Sequence, residues 1–453
     1  MKLILLSGGS GSRLWPLSND SRAKQFLKVL KNEETGEFES MVQRVFRQVT
    51  SVLSWEDVIV ATNTAQIDML HSQIGRDIPI VVEPERRDTF PAIALACSYL
   101  YSVLGMKEDE VVAVVSVDAY VEQQFYARVA ELEKLVHTTS AEMALLGVEP
   151  TYPSSKYGYL IPDNHVGYME VGKFIEKPSE QEAAQLIEQG AFWNSGVFSF
   201  SLKLIINQFR EKNLPTNYEE LLANFSRLPK KSFDFEVVEH LSHIVALPYQ
   251  GYWKDLGTWN TLTEEMHQPI LGNGSLSEDS ENTHVINELD LPIKVLGVSN
   301  AVVAVSADGI LVSDKPASSR MKDMLTEGLF SRPMYEERRW GWYRVLDITK
   351  CEGREVLTKR LHIHAGKNLS YQYHHYREET WTIISGQAIF IQDGKKVHVR
   401  SGDVLQIPIG SKHAMYAETD VEFIEVQIGS PLVEEDIVRL TYDWKETLGL
   451  MNF

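Results

Sequence analysis

The feature that most constrains this chain is its opening, where an apolar strand runs into a loop of glycines, serines and an arginine. Leu3–Leu6 have the composition of a buried strand. The small residues that follow allow backbone N–H groups to close on a phosphate. Arg13 and Lys24 add positive charge to the same segment, which suits the recognition of phosphate oxygens. The segment Leu3–Phe26 therefore predicts a triphosphate-binding loop at the end of a strand.

Two common glycine-rich loops do not fit this segment. In a Walker loop the last glycine is followed by Lys and then by Ser or Thr. Here the last glycine, Gly11, is followed by Ser12 and Arg13. A dinucleotide-binding fingerprint requires a small residue at position 14, which is Leu14. The sequence therefore favours neither a P-loop ATPase nor a nicotinamide-dependent dehydrogenase.

Length and composition indicate a globular protein of two or three domains, since the chain has 453 residues and is 43% hydrophobic. No apolar run is long enough to cross a membrane and no signal peptide is recognised, so a cytoplasmic protein is expected. Cys97 and Cys351 have no metal-site spacing and predict no disulfide. The net charge of −19 argues against nucleic acid or an anionic membrane as a partner. The net charge does not argue against a nucleotide ligand, because a few local cations and a metal ion are enough to neutralise its phosphates.

The order of predicted elements divides the chain into three parts. Over residues 1–260, strand-like runs alternate with helix-like stretches, which predicts an α/β domain with a mixed, mostly parallel, Rossmann-like sheet. Short β-type runs over 261–335 predict a small β-helical connector. Residues 336–453 are rich in β-branched and aromatic residues with Gly turns, which predicts a β-barrel.

The opening string resembles the signature of sugar-1-phosphate nucleotidylyltransferases, most closely the mannose-1-phosphate guanylyltransferases, and departs from it at Ala23, where the family has proline. The resemblance implies that GTP and a hexose 1-phosphate are the substrates and that Mg²⁺ is the cofactor. It implies nucleotide binding by Ser7, Gly8, Gly9 and Gly11, and catalysis by Arg13 and Lys24.

Two aspartates are the expected magnesium ligands. Asp118 closes an apolar run that begins at Glu110, and Asp255 lies in WKDLGTW, which resembles the family string W-x-D-x-G-[ST]-W. Carboxylate oxygens suit a hard cation such as Mg²⁺.

Three further strings resemble the family's sugar-phosphate site. KYGYL contains Gly158, which allows a close backbone approach. FIEKP supplies Glu176 for sugar hydroxyls and Lys177 for the phosphate. WNSGVF supplies Asn194, whose amide can both donate to and accept from the sugar ring.

The stretch EPERRDTFPAI, residues 83–93, resembles a family segment near the base and the sugar. The resemblance implies nucleotide contacts from Glu83, Arg87 and Asp88. Asp88 replaces an asparagine and Phe90 replaces an alanine, so the identity of the base and of the sugar stays open at this point.

The C-terminal part has the spacing of two cupin motifs, with glutamine in the leading histidine position of the first. Alternation along a strand places Gln372 and His374 on one face. With Glu379 and His413 they form a ligand set for a divalent transition metal such as Zn²⁺.

Residues 369–381, LSYQYHHYREETW, resemble type II phosphomannose isomerases. The resemblance implies mannose-6-phosphate isomerase activity, with Arg377 and Arg439 as candidate phosphate ligands or catalytic cations. Tyr376 and Thr380 replace two histidines of the family string, so a non-catalytic barrel remains an alternative.

Two alternatives therefore stand beside the guanylyltransferase interpretation. One is a nucleotidylyltransferase for another nucleotide or sugar phosphate with a non-catalytic barrel. The other is a regulatory protein that binds a sugar nucleotide without turnover, since related folds can bind without catalysing. The sequence leaves the oligomeric state open, with a homodimer as one option.

Overall fold

A computed structural model describes residues 1–9, 11–19, 21–75, 77–325 and 332–451. Ser10 and Asp20 of the opening string therefore lie outside the described residues. The chain folds into two compact units. The first unit comprises Met1–Leu14 and Ala23–Pro269, and the second comprises Trp15–Arg22 and the chain from Ile270 onward.

The first unit alternates strands with helices. Its strands are β1 (Lys2–Leu6), β2 (Leu30–Lys31), β3 (Phe38–Glu39), β4 (Val58–Asn63), β5 (Ile80–Glu83), β6 (Val111–Ser116), β7 (Ala119–Val121), β8 (Met143–Val148), β9 (Tyr159–Val166), β10 (Tyr168–Ile175), β11 (Phe192–Ser201), β12 (Ile244–Tyr249) and β13 (Trp253–Asp255). Its helices are α1 (Met41–Thr50), α2 (Ile67–Ile74), α3 (Thr89–Ser102), α4 (Gln123–Thr139), α5 (Glu180–Glu188), α6 (Lys203–Glu211), α7 (Tyr218–Ala223), α8 (Phe233–Glu236) and α9 (Trp259–Glu264).

Nine of these strands form one mixed sheet in the order β5-β4-β1-β6-β11-β8-β12-β10-β9. β5, β4, β1 and β6 pair in parallel with one another, and β8 pairs in parallel with β12. β11, β10 and β9 add antiparallel pairings. Every residue of β4 and β8 is buried, as expected for strands covered by helices on both faces. The predicted α/β class is confirmed.

The core of the first unit includes α3, whose apolar sequence leaves ten of its residues buried. Phe90 is fully buried in this core. The replacement of alanine by Phe90 therefore changes core packing and does not line a ligand surface.

The second unit is rich in strands. They are β14 (Ile270–Leu271), β15 (Gly274–Leu276), β16 (His284–Asn287), β17 (Ile293–Val295), β18 (Ala301–Ser306), β19 (Gly309–Asp314), β20 (Tyr335–Arg338), β21 (Gly341–Cys351), β22 (Arg354–Ile363), β23 (Tyr371–His374), β24 (Arg377–Ser385), β25 (Gln387–Gln392), β26 (Lys395–Arg400), β27 (Val404–Ile407), β28 (His413–Ala417), β29 (Val421–Gly429) and β30 (Ile437–Thr441). The described residues of this unit also form two short helices, α10 (Met321–Met324) and α11 (Trp444–Leu450).

The first part of the second unit stacks short parallel strands. β14, β16 and β18 pair in parallel, as do β15 and β17, and β19 closes the edge antiparallel to β18. Val285, Val303 and Val305 form the small core between them. This arrangement is that of the predicted β-helical connector.

The segment Trp15–Arg22 is bound within the second unit. Ser306 Oγ donates to the carbonyl of Pro16 over 2.7 Å. The guanidinium of Arg22 donates to both carboxylate oxygens of Glu288, over 2.8 and 2.7 Å. The opening string is thus divided between the two units.

The rest of the second unit is a barrel of two antiparallel sheets. The six-stranded sheet has the order β20-β21-β22-β29-β24-β27, and the five-stranded sheet has the order β26-β25-β28-β23-β30. Apolar side chains of both sheets, such as Leu361, Trp381, Phe390 and Met415, share one core. The predicted cupin-like barrel is confirmed.

Within the described ranges, no helix combines the length and the apolar character that crossing a membrane requires.

Candidate active site and candidate metal centre

The glycine loop follows β1 directly and closes on the Lys24 backbone. Gly11 has a φ of +61°, and a Cβ on it would lie 2.4 Å from the Lys24 nitrogen, so only glycine fits here. Gln25 Nε2 donates to the Ser7 carbonyl over 2.9 Å.

Gln66 holds the loop from the other side, because its Nε2 donates to the Gly9 carbonyl over 3.0 Å. It also accepts from Gln25 Nε2 over 3.2 Å. Sequence reasoning missed both glutamines. Gln25 lies within the opening string and could have been found there, whereas nothing around Gln66 distinguishes it.

Lys24, Asp118 and Asp255 meet at one point. Lys24 Nζ lies 3.0 Å from Asp118 Oδ2 and 3.1 Å from Asp255 Oδ1. β7 and β13 bring the carboxylates together, since Asp255 lies opposite Ala119 in their antiparallel register. The two aspartates expected from separate strings thus share one cation.

Charge balance sets the ionisation of this cluster. Burial alone would lower the pKa of Lys24, but the two carboxylates hold it above its ordinary value. Burial alone would raise the pKa of Asp118, but Lys24 and the Ser116 hydroxyl hold it below its ordinary value. The lysine is therefore charged and Asp118 is ionised at neutral pH. Two converging carboxylates form a donor set that suits Mg²⁺.

The other predicted catalytic cation, Arg13, lies in the 3₁₀ turn Ser12–Leu14 with an exposed side chain. Lys24 starts the next 3₁₀ turn and is only 15% exposed. The structure thus places Lys24 in the carboxylate cluster and Arg13 at the solvent.

The three sugar-phosphate strings also converge. A Cβ on Gly158 would lie 2.6 Å from Glu176 Oε2. The Asn194 backbone N–H donates to the Gly158 carbonyl over 2.8 Å. Lys177 Nζ lies 2.5 Å from Glu176 Oε1. The structure brings together all four residues expected to bind the sugar phosphate.

Asp234 joins this group and was missed from sequence. Asn194 Nδ2 donates to Asp234 Oδ1 over 2.7 Å. Burial, together with the charge of Glu176, raises the pKa of Asp234 to about 6. Its local signal is weak, because Asp234 lies between Phe233 and Phe235 and matches no family string.

The three nucleotide contacts expected from residues 83–93 have different immediate partners. Glu83 ends β5 and is 5% exposed, and a Cβ on Gly8 would lie 3.1 Å from its Oε1. Burial raises the pKa of Glu83 to about 7. Glu83 therefore borders the glycine loop.

Arg87 and Asp88 have other partners. Arg87 Nε and Nη2 donate to the Leu228 carbonyl over 3.2 and 3.0 Å, so its guanidinium faces that backbone. Asp88 precedes α3 with a φ of +74° and accepts from the Thr89 N–H over 2.8 Å. Burial alone would lower the pKa of Lys177, but Glu176, Asp234 and Asp88 hold it above its ordinary value.

A cavity of about 560 Å³ is lined by Asp255 of the carboxylate cluster and by Tyr157 and Trp193, which lie in two of the sugar-phosphate strings. Tyr157 packs edge-to-face against Trp193 and Trp253, with ring centroids 5.0 and 5.2 Å apart. Trp193 precedes Asn194, and Trp253 lies two residues before Asp255, which also lines the cavity. The aromatic rings thus connect the sugar-phosphate strings to the carboxylate cluster.

A second cluster lies inside the barrel, where Glu379 faces two histidines. Glu379 Oε1 is 3.2 Å from His374 Nε2, and its Oε2 is 3.6 Å from His413 Nε2. All three side chains are 1% exposed.

Each histidine leaves a ring nitrogen available to a metal. His413 Nδ1 lies 3.0 Å from the Ser411 carbonyl; because a carbonyl only accepts, Nδ1 carries the proton and Nε2 keeps its lone pair. Neither ring nitrogen of His374 has a hydrogen-bond partner among the described residues. Buried polar atoms of this kind need a partner, and a transition metal ion fits two imidazoles and a carboxylate.

The protonation states of the two histidines and of Glu379 also suit a metal ion. Burial lowers the pKa of His374 to about 4 and also lowers that of His413. Burial alone would raise the pKa of Glu379, but the histidines and Arg377 hold it at about 2. At neutral pH the cluster therefore offers neutral imidazoles and a carboxylate, the forms that bind metals.

The other barrel residues expected from sequence lie on the strands of this cluster or on a neighbouring strand. Gln372 lies opposite His413 on one neighbouring strand and opposite Arg439 on the other, and its Oε1 accepts from Ser370 Oγ over 2.7 Å. Arg439 is exposed. Arg377 is buried, and its Nε donates to Glu379 Oε1 over 2.9 Å, which orients that carboxylate.

Sequence reasoning missed two inward residues of β29. Gln427 Nε2 donates to Glu379 Oε1 over 3.2 Å. Glu425 accepts from Trp381 Nε1 over 3.0 Å, and burial raises its pKa to about 8. The sequence did carry a signal for them, because Glu425 and Gln427 occupy inward positions of a strand whose other inward residues are apolar.

Comparison with known families accounts for both units. Residues 2–269 match the family model described as nucleotidyl transferase. Residues 331–442 match the model described as mannose-6-phosphate isomerase C-terminal.

Full-length relatives carry both parts. Mannose-1-phosphate guanylyltransferase RfbM of Salmonella typhimurium strain LT2 is 29% identical, covering 96% of each chain. Alginate biosynthesis protein AlgA of Pseudomonas fluorescens is 30% identical, covering 96% of this chain and 95% of its own. A solved structure described as mannose-1-phosphate geranyltransferase from Thermus thermophilus superposes with a TM-score of 0.61 at 27% identity, covering 72% of this chain and 98% of its own.

Proposed function

Because the chain belongs to the nucleotidyl transferase family, we propose that it is a mannose-1-phosphate guanylyltransferase. It forms GDP-mannose and pyrophosphate from GTP and mannose 1-phosphate. The observation that carries the proposal is the meeting of Lys24, Asp118 and Asp255 beside the glycine loop. The full-length relatives named for this activity support the choice of substrates.

The reaction is a nucleotidyl transfer. A phosphate oxygen of mannose 1-phosphate attacks the α-phosphorus of GTP, and the bond from that phosphorus to the oxygen bridging to the β-phosphate breaks, releasing pyrophosphate. Such a step depends on positioning and charge stabilisation more than on a protein nucleophile. Asp118 and Asp255 would hold Mg²⁺, which supplies positive charge to the phosphates.

The chain's own groups divide the remaining work. The backbone of the glycine loop holds the triphosphate, and Lys24 stabilises the charge that develops on it. Glu176 and Asn194 bind sugar hydroxyls, while Lys177 binds the sugar phosphate.

A matrix of substrates tests this proposal. Purified full-length protein with Mg²⁺ is mixed with each pair of a nucleoside triphosphate and a hexose 1-phosphate, and released pyrophosphate is measured. GTP with mannose 1-phosphate should give the highest kcat/KM. A higher value for another pair identifies a different nucleotidylyltransferase, and binding without turnover of any pair indicates the regulatory protein.

We also propose that the barrel isomerises mannose 6-phosphate and fructose 6-phosphate. The cluster of His374, Glu379 and His413 favours this second function. With Gln372 these residues would hold a divalent transition metal such as Zn²⁺, which would polarise the substrate's carbonyl and hydroxyl oxygens.

Isomerisation moves a proton between neighbouring carbons, so a base in reach of C1 and C2 is needed. Interconversion of the two hexose phosphates by the metal-loaded protein is the test. A bound stoichiometric metal without isomerisation would leave the barrel non-catalytic, as the replacements at Tyr376 and Thr380 allow.

A further inference from the structure

A second group of metal-ligating side chains lies on the six-stranded sheet of the barrel. His362 is near the end of β22, His364 is two residues further on, and Asp420 immediately precedes β29. These strands are antiparallel neighbours, with His362 opposite Glu422. The register therefore brings two imidazoles and a carboxylate from distant parts of the chain to one place.

This group lies on the opposite face of the sheet from Glu379. Leu361 and Ile363 of β22 are buried towards the barrel interior, so His362 between them faces outward. His364 and Asp420 are exposed. The site is therefore open to solvent and separate from the metal centre inside the barrel.

The distances suit a shared cation. His362 Nε2 lies 3.2 Å from His364 Nδ1 and 4.0 Å from Asp420 Oδ2, and the three ligand atoms all lie within 4.8 Å of one another. Bond lengths of about 2.0–2.2 Å to a zinc-like ion place neighbouring ligand atoms about 3–3.5 Å apart. A small rotation of the exposed Asp420 side chain closes the remaining gap.

The surroundings hold these ligands in position. The His362 ring stacks parallel to Trp342, with centroids 5.5 Å apart, and its Nδ1 lies 3.5 Å from Glu422 Oε1. Glu422 thus lies on the side of the ring where a metal-ligating histidine usually has a supporting carboxylate, although Nδ1 makes no hydrogen bond among the described residues. Asp420 Oδ1 accepts from the Ala365 N–H over 2.7 Å, which leaves Oδ2 directed to the histidines.

We propose that His362, His364 and Asp420 form a second, solvent-accessible site for a divalent transition metal of the zinc class. Two imidazole nitrogens and one carboxylate favour Zn²⁺, Co²⁺, Ni²⁺ or Cu²⁺ over Mg²⁺ or Ca²⁺. With three protein ligands and water completing the coordination, this site binds more weakly than the buried centre.

Equilibrium dialysis of the full-length protein against Zn²⁺ tests the proposal. The protein is first stripped with a chelator and then kept in excess Mg²⁺. Wild type should bind one ion more than His364→Ala, and Asp420→Asn should weaken that ion's binding about 10- to 100-fold while keeping an acceptor for the Ala365 N–H. His398→Ala is the control, since His398 is an exposed histidine paired with Glu418 on the same barrel.

Co²⁺ absorption spectra identify the ligands independently of the number of ions bound. The spectrum of the weaker Co²⁺ ion should disappear in His364→Ala and remain in His398→Ala and in His413→Ala. Equal Zn²⁺ binding by wild type and His364→Ala would overturn the proposal, and so would loss of the same ion in His398→Ala. Matching thermal unfolding of the metal-free variants verifies that each one folds.

Discussion

The carboxylate cluster of the first unit and the histidine cluster of the barrel both prepare ligands for a cation, but in opposite ways. Asp118 and Asp255 are 39% and 34% exposed and share the single positive charge of Lys24. Glu379 is 1% exposed and faces two uncharged histidines. One cluster is partly exposed and pairs two carboxylates with one lysine, whereas the other is buried and combines a carboxylate with neutral imidazoles.

The difference suggests what each cation does. An open cluster with its own lysine can release and rebind a metal together with a polyanionic substrate. A sealed cluster with unpaired imidazole nitrogens is destabilised without its ion, because buried polar atoms lack partners. We therefore expect an exchangeable Mg²⁺ in the first unit and a resident transition metal in the barrel.

The largest expected effect comes from Asp255→Asn. Removing one of the two carboxylates proposed to hold Mg²⁺ should lower kcat for pyrophosphate release about 100- to 1,000-fold and leave hexose-phosphate isomerisation unchanged. Asp57→Asn is the matched control, since Asp57 forms a peripheral ion pair with Lys2 over 2.8 Å. A loss of less than tenfold in Asp255→Asn would place the metal elsewhere.

His374→Ala should remove the resident ion. We expect metal affinity to fall at least 10- to 100-fold and isomerisation to be lost, with pyrophosphate release unaffected. His375→Ala controls for the neighbouring position, because His375 is exposed. The measurement is the metal content of the purified His374→Ala and His375→Ala proteins. Equal metal contents would contradict the assignment of His374 as a ligand.

Gly158→Ala should have a smaller, substrate-specific effect. The new Cβ would lie 2.6 Å from Glu176 Oε2 and 2.9 Å from the Phe174 ring, so Glu176 must move. We expect KM for the hexose 1-phosphate to rise about tenfold or more, with little change in KM for the nucleotide. Gly449→Ala, where nothing lies within 4 Å of the new atom, should leave both constants unchanged.

The smallest effect concerns the pH dependence of stability. The pKa of Asp234 rises from about 3.8 to about 6 in the folded protein, so the folded state binds its proton more tightly than the unfolded chain does. The stabilising contribution is present below pH 4 and is lost as the pH rises through 6. The melting temperature of Asp234→Asn should therefore rise relative to that of wild type between pH 4 and pH 7. The expected rise is about 2–4 °C for each kcal/mol of difference in unfolding free energy. A constant difference between the two melting temperatures would contradict the raised pKa.

Short sequence motifs could be predicted from the sequence, but contacts between residues of motifs far apart in the chain could not. Asp118 and Asp255 could be found because each lies in a recognisable local pattern. Their common contact with Lys24 depends on the register of β7 and β13, which no local pattern encodes. Asp234 and Gln66 were missed for the same reason, since each acts through a residue far away in the chain.

The barrel shows the same limit. Alternation along β23 and the cupin spacing indicated His374, and a similar spacing of two residues separates His362 from His364. The second pair became informative only when the fold placed Asp420 beside it. The assignment of domain boundaries at 260 and 335 stays a prediction, as do the individual roles of the site residues.

The division of the opening string has a consequence for anyone who would cut this protein in two. Trp15–Arg22 belongs to the second unit, whereas Gly11 and Lys24 on either side of it belong to the first. A chain ending at Pro269 would keep Arg22 but lose Glu288, its bidentate partner. The two units are interlaced in sequence, so a chain that ends at Pro269 would contain Trp15–Arg22 without the rest of the unit to which this segment belongs.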